Sequence, residues 1–139
     1  MSLEVLEEKT AEFFERHWAR SILGLPPKWK GWDTFLQGSV PNFRCGGCYA
    51  IFFESELAYI GLGASRGGGI YPSHGISRRL MAHVLRSDPE QGVGYSKLLD
   101  EWADATNIYT IGMPNTEYLA AALETYLIRE ISPPRNNRV

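Results

Sequence analysis

Cysteine is scarce in this chain: Cys45 and Cys48 are the only two, too few for a disulfide framework. Long uncharged apolar runs are lacking, which excludes a membrane span by pattern. The start Met1-Ser2-Leu3-Glu4 is acidic where a secretory leader is basic, so the expected location is cytoplasmic. Neither sign of charge dominates. The formal net charge of −2 gives no global attraction to nucleic acid. No repeat period and no low-complexity tract is visible, which sets solenoids aside. One local absence is more informative. From Leu57 to Ser87 there is no Asp or Glu, while Arg66, Arg78, Arg79, Arg86, His74 and His83 all fall inside. Such a basic island is what polyanion contact needs locally, whatever the total charge.

What is present centres on the stretch from Gly47 to Gly61, two apolar runs rich in aromatic and β-branched residues around Glu54-Ser55-Glu56. This pattern predicts an antiparallel hairpin. A three-residue loop pairs Phe53 with Leu57, Ile51 with Tyr59 and Tyr49 with Gly61, because register runs inward from the turn. Tyr49 and Tyr59 then share a face, with Gly61 leaving open space opposite Tyr49. A two-residue loop would put the tyrosines on opposite faces.

Around the hairpin the chain reads as follows. Leu3 to Leu23 has helical spacing (Leu3, Leu6, Phe13, Phe14, Trp18, Ile22) and acidic residues toward its first turns; Gly24 and Pro26-Pro27 stop it. The loop that follows interleaves Trp29, Trp32 and Phe35 with Lys28 and Lys30. Its lysines and rings suit a nucleic-acid backbone and its bases; the commoner role of such rings is to pin a long connection onto the core. The segment from Gly63 to Gly75 is too rich in glycine to be anything but loop. Ile76 to Leu85 is helical, with Ile76, Leu80 and Val84 inward and Arg79, His83 and Arg86 on an adjacent polar stripe. A further helix is expected over Tyr95 to Ala105, a third strand over Asn107 to Gly112, and a last helix over Asn115 to Ile131, terminated by Pro133-Pro134. The expected fold is α+β: a small three-stranded antiparallel sheet flanked by helices, with residues 1–44 as an N-terminal helical extension and loop, and 45–139 as the functional domain.

Several polar groups fall toward one side: Tyr49, Tyr59, Arg79, His83, Glu124 and Asn136. Each suits phosphodiester hydrolysis. A single inward carboxylate suits Mg²⁺, which takes one or two protein oxygens and fills its octahedron with water and phosphate. Arginine's planar fork matches phosphate oxygens. A phenol or neutral imidazole can accept the proton of an attacking water, though a tyrosine of ordinary pKa, about 10, needs help at neutral pH. Taken singly, each residue has a bland role: packing for the tyrosines, solvated surface for Arg79 and Glu124, frayed tail for Asn136. Cys45-Gly46-Gly47-Cys48 precedes a strand where a redox pair opens a helix, and it lacks a second pair for zinc.

In order and spacing these residues resemble the GIY-YIG nuclease superfamily. Gly47-Cys48-Tyr49 stands for its first motif with Cys in place of Ile, and Tyr59-Ile60-Gly61 matches the second. Arg79-Leu80-Met81-Ala82-His83 looks like its helix motif. Glu124 looks like its metal-binding Glu, and Pro133-Pro134-Arg135-Asn136 like its closing proline and Asn. The literal Gly69-Ile70-Tyr71 follows the second motif where the family order is the reverse, so it has no motif role. The 20 positions from Tyr59 to Arg79 exceed the family spacing, and Leu62 stands where many members have a polar or basic residue. The resemblance implies a Mg²⁺- (or Mn²⁺-) dependent DNA endonuclease in which Glu124 holds the metal, Tyr49 is general base, Arg79 stabilises the pentacovalent phosphate, and Tyr59, His83 and Asn136 orient groups. Arg66, Arg78, Arg86, Lys28 and Lys30 are the candidate DNA contacts. Cutting both strands from one metal site per chain favours a homodimer. The alternative is a non-cleaving member of the fold that binds nucleic acid or protein.

Overall fold

The computed structural model describes residues 2–63 and 75–137. Chain order gives helix α1 (Leu3–His17), the single turn α2 (Arg20–Leu23), strands β1 (Lys30–Gly31), β2 (Gly47–Phe53) and β3 (Glu56–Gly63), helix α3 (Gly75–His83), strands β4 (Leu85–Ser87), β5 (Ser96–Leu98) and β6 (Asn107–Gly112), and helix α4 (Glu117–Ile131). The α+β class is as expected, but the main antiparallel sheet has four strands, in the order β1-β6-β2-β3. The added strand is a two-residue edge on β6, in which Lys30 pairs with Thr110.

β2 is central, and both of its faces are buried. Cys48, Ala50 and Phe52 pack with Leu6, Phe13 and Phe14 of α1 and Leu123, Leu127 and Ile131 of α4. Tyr49 and Ile51 face the other way, toward Ile76 and Leu80 of α3 with Trp32, Val40 and Trp102. That two-sided burial is why the strand reads as an unbroken apolar run. Trp29 and Trp32 are buried, one in each core, so both rings pin the connection.

The hairpin reaches its expected register by a different route. The turn is only Glu54-Ser55, with Glu54 in the left-handed region (φ 59°). Phe53 therefore pairs with Glu56, and Phe52 with Leu57. A bulge then absorbs Ala58, after which Ile51 faces Tyr59 and Tyr49 faces Gly61. The extra residue reverses the side-chain phase of β3, so the tyrosines share a face despite the two-residue turn. Thr106 braces the turn, its hydroxyl accepting the Glu54 N–H at 2.5 Å.

Two helical expectations are corrected. The first helix stops at His17, because Trp18 turns extended and its indole donates to the Gly24 carbonyl at 2.8 Å, folding the following segment back along α1. No helix forms over Tyr95 to Ala105. Residues Ser96–Leu98 pair with Leu85–Ser87 as a two-stranded ribbon, and Asp100–Trp102 make one 3-10 turn. Leu98, Leu99 and Trp102 reach the core from this irregular path, imitating a helical period. Arg86 consequently lies on β4 opposite Lys97 and not on a helical stripe. A final 3-10 turn, Pro134–Asn137, packs on β3. Among the described residues no helix is long and apolar enough to cross a membrane.

Candidate functional site

The Tyr49 ring lies over Gly61, where a Cβ would come within 2.2 Å of its Cζ. The space at Gly61 is thus filled by the tyrosine itself and is not left open for a ligand. Tyr49 is 2 % exposed; Tyr59 is half-buried, its ring centroid 6.1 Å from that of Tyr49. Gly63 has a related use. A Cβ there would stand 2.7 Å from the Ile76 Cα, so glycine lets the start of α3 come down onto β3. The Ile76 N–H donates to the Cys45 carbonyl at 3.0 Å, which fixes the helix beside the first tyrosine.

With Ile76 and Leu80 in the core, α3 carries Arg79 to the rim, its guanidinium beside the Tyr49 phenol. From the other face of the sheet α4 brings Glu124, half-buried, into the same field. Burial pushes the Tyr49 phenol well up from its ordinary value; Tyr59 and the Glu124 carboxylate add to the rise, while the charge and hydrogen bonding of Arg79 oppose it. Burial likewise raises Glu124, and Arg79 again works against the rise. Tyr49, Tyr59, Arg79 and Glu124 therefore form one electrostatic unit drawn from four elements. Tyr49 keeps its proton in it.

Asn136 is anchored and not frayed. Its Oδ1 accepts the Ile60 N–H and its Nδ2 donates to the Ile60 carbonyl, both at 2.8 Å. The side chain substitutes for a neighbouring strand on the free edge of β3, beside Tyr59. His83 is at the exposed end of α3, and its carbonyl accepts the Trp102 indole N–H. Arg78 and Arg86 are exposed on α3 and β4. Lys28 and Lys30 are not brought to the tyrosines. Lys30 is on β1, the sheet edge opposite β3, and Lys28 lines a groove of about 780 Å³ between α1 and the segment after it. Arg66, His74 and Gly69-Ile70-Tyr71 lie outside the described residues.

Cys48 is a core residue. Its thiol donates to the Ala120 carbonyl at 3.3 Å, and burial drives its pKa up, the opposite of a reactive or metal-binding thiol. Two residues near the site escaped the sequence pattern. Trp102 meets the Tyr59 ring edge-on at 5.2 Å, and Arg135 lies over both Phe53 and Trp102, at 4.3 and 4.8 Å. The signal for Arg135 was its place after Pro133-Pro134, which holds the chain's end in a fixed turn.

Among the described residues no group of three or more His, Cys, Asp or Glu converges. The donor set at Glu124 is one carboxylate whose charge is disfavoured by burial, and a cation would relieve that cost. This fits a hard dication that keeps most of its waters. No family model, curated protein or solved structure matches the chain.

Proposed function

We propose that this protein is a DNA endonuclease of the GIY-YIG type, dependent on Mg²⁺ or Mn²⁺ and hydrolysing phosphodiester bonds from a one-metal site. The observation that carries the reading is the convergence of Tyr49, Tyr59, Arg79 and Glu124 from β2, β3, α3 and α4. Glu124 holds the dication, which when bound supplies positive charge and Lewis acidity at the scissile phosphate. Arg79, on the rim, places its fork on non-bridging oxygens and stabilises the charge that grows there. Tyr49 is protonated in the resting protein, so it first meets the attacking water as a hydrogen-bond donor. Burial is the main reason it holds its proton, so it could act as general base only if substrate and water entering the site relieved that burial with Arg79 beside it. Tyr59 stands beside Tyr49 on the same face, and Asn136 fixes the strand that carries it. Arg78 and Arg86 extend the basic surface toward flanking phosphates. A homodimer acting on cytoplasmic DNA completes the reading, since one site per chain serves one strand.

One observation favours the non-cleaving alternative: the depth of Tyr49 and its firmly held proton suit a packing residue in a DNA- or protein-binding module. A nicking assay separates the two, on supercoiled, linear and branched DNA with Mg²⁺ or Mn²⁺. Cleavage by the wild type and its loss in Glu124→Ala supports the nuclease. Equal cleavage by both proteins sinks the assignment, and binding without cleavage on every DNA form promotes the module.

A further inference from the structure

Trp102 stands where two parts of the site meet. Its Nε1 donates to the carbonyl of His83, the last residue of α3, at 3.1 Å. Its ring packs edge-to-face on Tyr59, with centroids 5.2 Å apart and planes at 61°. The first contact holds the helix that carries Arg79, one turn before His83; the second holds a tyrosine of the hairpin. The indole is itself fixed. Leu99 N–H donates to the Val84 carbonyl at 2.8 Å ahead of the 3-10 turn, and the guanidinium of Arg135 lies over the ring while bonding the Glu101 carbonyl. Next to Arg135 in sequence, Asn136 grips the backbone of Ile60. The C-terminal turn thus fastens β3 through its main chain and, by way of Trp102, through the Tyr59 ring.

We propose that Trp102 is a positioning residue that sets the distance and angle between Arg79 and the tyrosine pair, with Arg135 propping the indole; this rests on the nuclease reading above. Turning the indole would break the bond to α3 and the contact with Tyr59 together, so the two halves of the site move as one. A displacement of about 1 Å in such an arrangement is enough to slow chemistry by about a hundredfold.

The test uses the full chain in three variants. Trp102→Phe keeps a ring and loses the N–H bond, Trp102→Leu loses the ring, and Arg135→Lys keeps the charge without the planar stack. Steady-state nicking should show kcat falling about tenfold in Trp102→Phe and about a hundredfold in Trp102→Leu, with KM within about twofold and Arg135→Lys in between. In parallel, NMR of ring-labelled tyrosine and of arginine Nε–H groups should show Tyr59 and Arg79 shifting together in each folded variant. Should Trp102→Leu not fold, the other two carry the test. The proposal is overturned by unchanged kcat in folded Trp102→Phe and Arg135→Lys, by a KM rise that accounts for the whole loss, or by Tyr59 shifting while Arg79 stays. If the wild type cuts no DNA, the nuclease reading fails separately, and the NMR shifts alone decide the coupling.

Discussion

Glu124 shows how a single residue can cost stability and carry function. Its carboxyl is raised from the ordinary 4.5 by burial, with Arg79 only partly offsetting. An acid whose folded pKa lies above its unfolded value binds more protons in the native state through that interval, so stability falls as pH rises through it. Below pH 4.5 the group is protonated in both states and the penalty is absent; above the raised folded value it is complete. Glu124→Gln should therefore melt at the same temperature as wild type or higher at pH 7, with the gap closing below pH 4.5, while cleavage is lost. Thermal melts across that range check the sign. A variant less stable than wild type at pH 7 would show that the carboxylate is held by something other than Arg79. The grouping of Glu124 with Arg79 was legible in the sequence, but the cost was not, because how far the carboxyl is buried depends on how α4 packs on the sheet.

Among the elements, the hairpin gave up most from its sequence and still concealed its construction. Aromatic and β-branched runs around a polar break defined both strands and the shared tyrosine face. The route was hidden, because a two-residue turn followed by a bulge and a regular three-residue loop yield the same pairs beyond the irregularity. Ala58 is the supernumerary residue. Deleting it leaves Phe53–Glu56, Phe52–Leu57, Ile51–Tyr59 and Tyr49–Gly61 all pairable, so the variant should fold cooperatively with a loss of no more than about 2 kcal/mol. Urea unfolding followed by near-ultraviolet circular dichroism measures this. A molten or unfolded product would mean that the bulge itself is required. The ribbon of β4 and β5 was illegible for a related reason. Leu98, Leu99 and Trp102 match one turn of a helical stripe, and only tertiary contacts, Leu99 to Val84 and Trp102 to His83, decide for extended chain and a short turn.

At the scale of the molecule, one strand buried on both faces organises two cores, and the candidate site draws one residue from a helix of each. α4 belongs to the first core and α3 to the second, yet Glu124 and Arg79 influence the same phenol. Sequence order was enough to suggest which residues belong together. The candidate DNA contacts did not all follow: β6 and β2 intervene between the strand of Lys30 and β3, and Arg86 lies on the β4–β5 ribbon. Residues that act as a unit lose activity non-additively when removed. The most direct measurement is a double-mutant cycle in Mg²⁺-dependent DNA nicking with Arg79→Ala, Glu124→Gln and the pair. Each single change should lower kcat by about a hundredfold or more, and the double variant should be no slower than the slower single. Losses that multiply, or cleavage that survives Glu124→Gln, would contradict a single site built from these residues.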